Sequence, residues 1–126
     1  MFADRKVTAM IPAKDFARAK AWYADKLGLT PSSEFAGAGA GYTLAGGTQA
    51  FLYETQFAGT AQHTILGFDC VDLVADVKAL RAKGVVFIDY DMPGLKTVDG
   101  VAEMGPTKSA WCKDSEGNIL GFVEGM

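Results

Sequence analysis

Two stretches of the chain are written alike. Asp15-Phe-Ala-Arg-Ala-Lys-Ala-Trp-Tyr-Ala-Asp-Lys-Leu-Gly28 matches Asp72-Leu-Val-Ala-Asp-Val-Lys-Ala-Leu-Arg-Ala-Lys-Gly84 in residue type with one gap. Each opens on an aspartate, whose carboxylate can accept the free amide hydrogens of a first helical turn. Each closes on a basic residue with a glycine one or two positions later, the usual left-handed stop. Between these caps Phe16, Ala19, Tyr23 and Leu27 recur at helical spacing, as do Leu73, Val77 and Leu80. Each helix therefore carries one apolar stripe for a sheet to cover.

The surroundings repeat as well. A strand-like run precedes each helix, Val7–Ile11 before the first and Thr64–Phe68 before the second. Further runs follow: Gly41–Leu44, Ala50–Tyr53, Val85–Ile88, Ser109–Cys112 and Ile119–Val123. Turn chemistry separates them at Ala36–Gly41, at Gly46-Gly47 and at Asp114–Asn118. The small, polar segment Phe57–Gln62 reads as the joint between two halves, and Asp91–Gly105 reads as a long loop, a length at which loops often serve function. Repetition of order, caps and spacing together predicts an α+β domain of two βαβββ modules, over about residues 1–57 and 62–126.

Composition narrows the function classes. At 126 residues, 49% hydrophobic and 21% charged, the chain suits one globular core. A net charge of −3 with scattered cations argues against a nucleic-acid partner, because phosphate-backbone binding needs clustered positive charge. No stretch is apolar for long enough to span a bilayer, so no membrane partner is expected, and without a signal-like start the expected location is cytoplasmic. Cys70 and Cys112 lack CxxC spacing and a nearby histidine, so free, reduced thiols are expected.

Several motifs together resemble the vicinal oxygen chelate superfamily of glyoxalases, bleomycin-resistance proteins and extradiol dioxygenases. These are Ile11-Pro-Ala-Lys-Asp15 with Trp22-Tyr23 and Leu27-Gly28-Leu29, then Asp72-Leu73, then Lys113-Asp-Ser-Glu-Gly-Asn-Ile119, where Ser115 replaces the proline of the family's Asp-Pro-Asp-Gly-Asn signature. The resemblance covers nearly the whole chain. It implies paired βαβββ modules with curved mixed sheets around a cavity, a small-molecule ligand, and a homodimer. In metal-dependent relatives four side chains hold a divalent ion, and their positions correspond here to Thr8, Tyr53, Ile65 and Gly121, with Glu54 in place of Tyr53 if the register slips by one. Threonine, tyrosine, isoleucine and glycine do not make a zinc site or an octahedral oxygen site, so no metal and no cofactor is expected.

If the strand faces follow those positions, Thr8, Met10, Phe51, Tyr53, Ile65 and Gly67 point inward, with Trp111 and Tyr42 as further aromatic walls of unfixed parity. Such a lining suits a planar or hydrophobic molecule held by stacking and a few hydrogen bonds. Core packing is the commoner role for each of these residues taken singly. His63, the only histidine, with Glu54 keeps open an atypical metal or acid/base pair. The first reading is thus a metal-independent protein that binds or sequesters an aromatic or antibiotic-like compound at Thr8, Met10, Phe51, Tyr53, His63, Ile65 and Trp111. A lyase, isomerase or dioxygenase with an atypical or absent metal stays open beside it. A domain serving protein association alone is the third reading. Lys96, Asp99 and Glu103, on the long loop, are candidates to close over a pocket mouth.

Overall fold

The computed structural model describes residues 1–126 and builds two sheets in the expected order. The first half runs β1 (Thr8–Ala13), α1 (Phe16–Leu27), β2 (Ser33–Phe35), β3 (Gly39–Thr43) and β4 (Gln49–Glu54). Its sheet has the order β1-β4-β3-β2, with β1 and β4 parallel and the other neighbours antiparallel. The second half runs β5 (Thr64–Cys70), α2 (Leu73–Ala82), a small hairpin of β6 (Asp91–Met92) and β7 (Leu95–Lys96), β8 (Val101–Met104), β9 (Thr107–Lys113) and β10 (Ile119–Glu124). Its sheet, β5-β10-β9-β8, repeats the first arrangement, with β5 parallel to β10. This is the α+β, two-module architecture the repeat predicted.

The caps explain why the helices start where they do. Asp15 accepts from the Arg18 amide at 3.0 Å and Asp72 from the Ala75 amide at 3.1 Å. A second carboxylate helps each helix from the far end of its own sheet: Glu54 accepts from Phe16 N at 3.2 Å, and Glu124 from Leu73 N at 2.8 Å. Both helix N-termini thus have two amides paired with negative charge, as their dipoles favour. Gly28 ends α1 in the left-handed conformation, φ 69°, with Leu29 N bonded back to Tyr23 O at 3.0 Å.

Alternation places one face of each sheet against the helices. Ile11, Ala13, Ala40, Tyr42, Ala50 and Leu52 of the first sheet join Ala110, Cys112, Leu120 and Phe122 of the second in one buried cluster with Tyr23, Leu73 and Val77. Because that cluster is shared, neither half buries its apolar face alone.

The turn between β9 and β10 fastens the halves together. Tyr23 donates its hydroxyl to Asp114 Oδ2 at 2.6 Å, and Asn118 Nδ2 donates to the same oxygen at 2.9 Å and to Pro12 O at 2.8 Å. The Asn118 side-chain oxygen accepts from Gly59 N, in the inter-module joint, at 3.0 Å. Glu116 accepts from Asp15 N at 2.8 Å and from Arg18 Nε and Nη2 at 2.8 and 3.0 Å.

The Arg18 guanidinium, working against burial and aided by the Asp15 amide and the Ser115 hydroxyl, holds the Glu116 carboxyl at about 2. Its pKa is depressed relative to an unfolded glutamate near 4.3, so its contribution is fully present above about pH 5 and disappears as pH falls toward 2. Because Arg18 stands half in solvent, we expect a loss on the order of 2 kcal/mol over that window. Urea unfolding at pH 5 and pH 2.5 reads it. Glu116→Gln should flatten the dependence, and an unchanged slope in that variant would assign the acid sensitivity to other carboxylates.

Candidate small-molecule site

The face of the first sheet turned away from the helices is open, whereas on that of the second sheet Gly121 and Ser109 are buried and Gly67 is exposed. On the first sheet the register sets Thr8 beside Gln49, Met10 beside Phe51 and Pro12 beside Tyr53, with Gly41 and Ser33 completing the Met10–Phe51 row. Four of the sequence-derived residues, Thr8, Met10, Phe51 and Tyr53, therefore share one face. Thr8 and Met10 are exposed, the latter at 52%, while Phe51 and Tyr53 are half-buried. Phe35 extends the patch: its ring centroid lies 6.1 Å from that of Phe51, and it is itself 54% exposed. Sequence reasoning missed Phe35 because the three-residue strand carrying it is too short to show alternation.

The second sheet offers the corresponding face. Gly67, Gly121 and Trp111 stand in one cross-strand row. The Trp111 indole meets the Tyr90 ring edge-on at 5.4 Å, so Tyr90, not foreseen from sequence, props the tryptophan in place. Ile65 is half-buried and packs against the shared core. A bulge in the β5–β10 pairing between Ile119 and Leu120 shifts the register at that end of β5.

Tyr42 belongs to neither of these faces. It lies in the core beneath the first sheet, 4% exposed, where burial pushes its phenol pKa up. The His63–Glu54 pair receives no support, because Glu54 is turned to the helix side and occupied by the Phe16 amide, while exposed His63 has Nδ1 against Thr64 O at 3.1 Å. Both cysteines are free, and burial raises Cys112 to about 12 and Cys70 to about 11, leaving them as thiols at neutral pH.

The four positions at which relatives chelate a metal do not form a donor set. Thr8 and Tyr53 carry neutral hydroxyls, Ile65 none, and Gly121 no side chain. At Gly121 a Cβ would stand 3.0 Å from the Thr64 methyl, tighter than an ordinary contact, with the Trp111 indole packed beside it at 3.5 Å. No group of three or more His, Cys, Asp or Glu side chains is placed to hold a metal ion. No helix is long and apolar enough to cross a membrane.

Comparison with known proteins agrees with this architecture. No curated protein matches the chain closely. Among solved structures, TnmS3, an antibiotic binding protein from Streptomyces sp. CB03234, superposes with a TM-score of 0.73 at 19% identity, over 98% of each chain. A glyoxalase family protein from Enterococcus faecalis gives 0.72 at 17% identity, over 98% of this chain and 100% of that one. A glyoxalase / bleomycin resistance protein from Catenulispora acidiphila DSM 44928 gives 0.68 at 20% identity, over 96% and 98%. At such identities these likenesses concern the fold. The sequence model of the Glyoxalase/Bleomycin resistance protein/Dioxygenase superfamily matches residues 6–122, and the chain belongs to that superfamily.

Proposed function

We propose that the protein binds a small, planar, largely apolar molecule on the sheet faces turned away from the helices, without a metal ion, and holds it out of solution. The observation that carries this reading is the exchange of chelating side chains for aromatic surface: Trp111 lies over Gly121, and Tyr53 stands with Phe51 and Phe35 on the opposite module. Rings of this kind favour a flat partner through stacking and area burial. The antibiotic-binding neighbour supports the reading, since it has the same scaffold. The first-sheet face is an open half-site in one chain, with Met10 and Phe35 about half exposed, and a homodimer in which another copy covers it is part of the proposal.

A thermal-shift screen with planar aromatic compounds tests the reading. A hit should raise the melting temperature, and Tyr53→Ala or Trp111→Ala should weaken it by about tenfold or more. Unchanged shifts in both folded variants would remove these faces from the proposal. Elemental analysis of protein purified without chelators should find metal well below one equivalent. Stoichiometric metal that disappears in His63→Ala would instead favour a metalloenzyme.

A further inference from the structure

On the helix side of the sheets, a cleft of about 340 Å³ separates the first sheet from β5. Ile11, Leu29, Leu44, Leu66, Phe68 and Tyr42 supply its walls. A second hollow of about 380 Å³, between the end of α1 and α2, shares Leu29, Leu44 and Phe68 with it, so the two are lobes of one crevice between the modules. The volume is at the lower end for small-molecule pockets, roughly 300–1,000 Å³.

Tyr42 gives the cleft its chemistry. Its hydroxyl is the one buried side-chain polar atom of the protein with no hydrogen-bond partner. The neighbouring candidate, the Tyr23 hydroxyl, is already committed to Asp114. A buried, unpaired hydroxyl costs free energy, and native structures seldom keep one without something to pair it. In the Tyr42 lobe Asp69 is the one charged lining residue and makes no ion pair, which disfavours an anionic occupant there.

We propose that this inter-module cleft is a second ligand site, distinct from the sheet faces turned away from the helices, for a compact, neutral, mostly apolar molecule whose carbonyl oxygen pairs with the Tyr42 hydroxyl. Met10, Phe51 and Tyr53 are on the opposite side of the same sheet from Ile11, Tyr42 and Ala50, so the two sites are separable by mutation.

The neutral naphthyl ketone fluorophore prodan is the probe. The full-length protein should bind it saturably, with the blue-shifted emission of a desolvated ketone. Ala45→Trp, at an exposed position on the cleft rim, should reduce affinity at least about tenfold by filling the mouth. Tyr42→Phe should weaken binding by about tenfold while leaving the melting temperature unchanged or higher, because it removes a buried unpaired group. In the double variant Tyr53→Ala/Trp111→Ala, whose sheet faces can no longer stack a flat probe, the blue-shifted binding that depends on Tyr42 should persist. Absence of saturable binding, or binding indifferent to both Ala45→Trp and Tyr42→Phe, would overturn the proposal. Binding lost only in the double variant would also overturn it, and would place the probe on the sheet faces.

Discussion

Asp114→Ala is expected to cost about 3–5 kcal/mol of unfolding free energy, among the largest effects of any single side chain outside the apolar core. Asp114 is 7% exposed and accepts four hydrogen bonds: from Glu116 N at 2.8 Å, Asn118 N at 2.9 Å, Asn118 Nδ2 at 2.9 Å and the Tyr23 hydroxyl at 2.6 Å. Removing the carboxylate leaves buried donors on two modules unpaired at once, and unpaired buried groups cost more than a made hydrogen bond contributes. Tyr23→Phe removes one donor and should cost only about 1–2 kcal/mol, since the other three bonds to Asp114 persist. Its phenol is strongly resistant to ionisation, through burial first and the Asp114 charge second, so the pair should hold across the neutral and moderately alkaline range. Urea denaturation of both variants checks the ratio. A loss below about 1 kcal/mol for Asp114→Ala would mean that water re-pairs the turn and that the modules are held by apolar contact alone.

The importance of that turn is legible in the sequence only in part. The Asp114–Asn118 segment is readable as a turn and as a near-copy of a family signature, because turn chemistry is local. That its side chains reach Pro12, Tyr23 and Gly59 is not, since those partners are remote in sequence. The two helices are legible to within a residue or so for the same local reason, and their aspartate caps are where the repeat puts them. Glu54 and Glu124 cap from the end of a sheet, and no helix-based pattern points to them.

Strands are harder to read where pairing with a remote segment decides the outcome. Val85–Ile88 has a strand pattern but contributes only a bridge from Phe87 to Cys112 and an Ile88 amide bond to Trp111 O at 2.8 Å, because β8 pairs the other part of β9. The segment Asp91–Gly105 reads as a loop, yet it contains the β6–β7 hairpin and β8. Within the candidate site, alternation puts Thr8, Met10, Phe51 and Tyr53 on one face, and the parallel pairing of β1 with β4 keeps them in register. Tyr42 goes to the other face, since one residue of parity separates a wall of the open surface from a wall of the interior cleft.

The glycine-rich run before Tyr42 gives the other large effect. It reads as a turn, but Gly39 is already inside β3, at φ 146°, and a Cβ there would stand 2.1 Å from Leu52 O and 3.1 Å from the Phe51 ring. Gly39→Ala must therefore push β3 away from β4 beside a residue of the proposed ligand face. We expect a loss of about 3 kcal/mol or more, together with weaker binding of any ligand that stacks on Phe51. Gly37→Ala is the control. Gly37 has φ 77° but nothing within 4 Å of its added Cβ, so it should show only the backbone strain, about 1 kcal/mol. Thermal unfolding of the pair separates contact from conformation. Equal losses would show that Gly39 is needed for its dihedral angle alone, and that the close approach of β3 to Leu52 does not shape the open face.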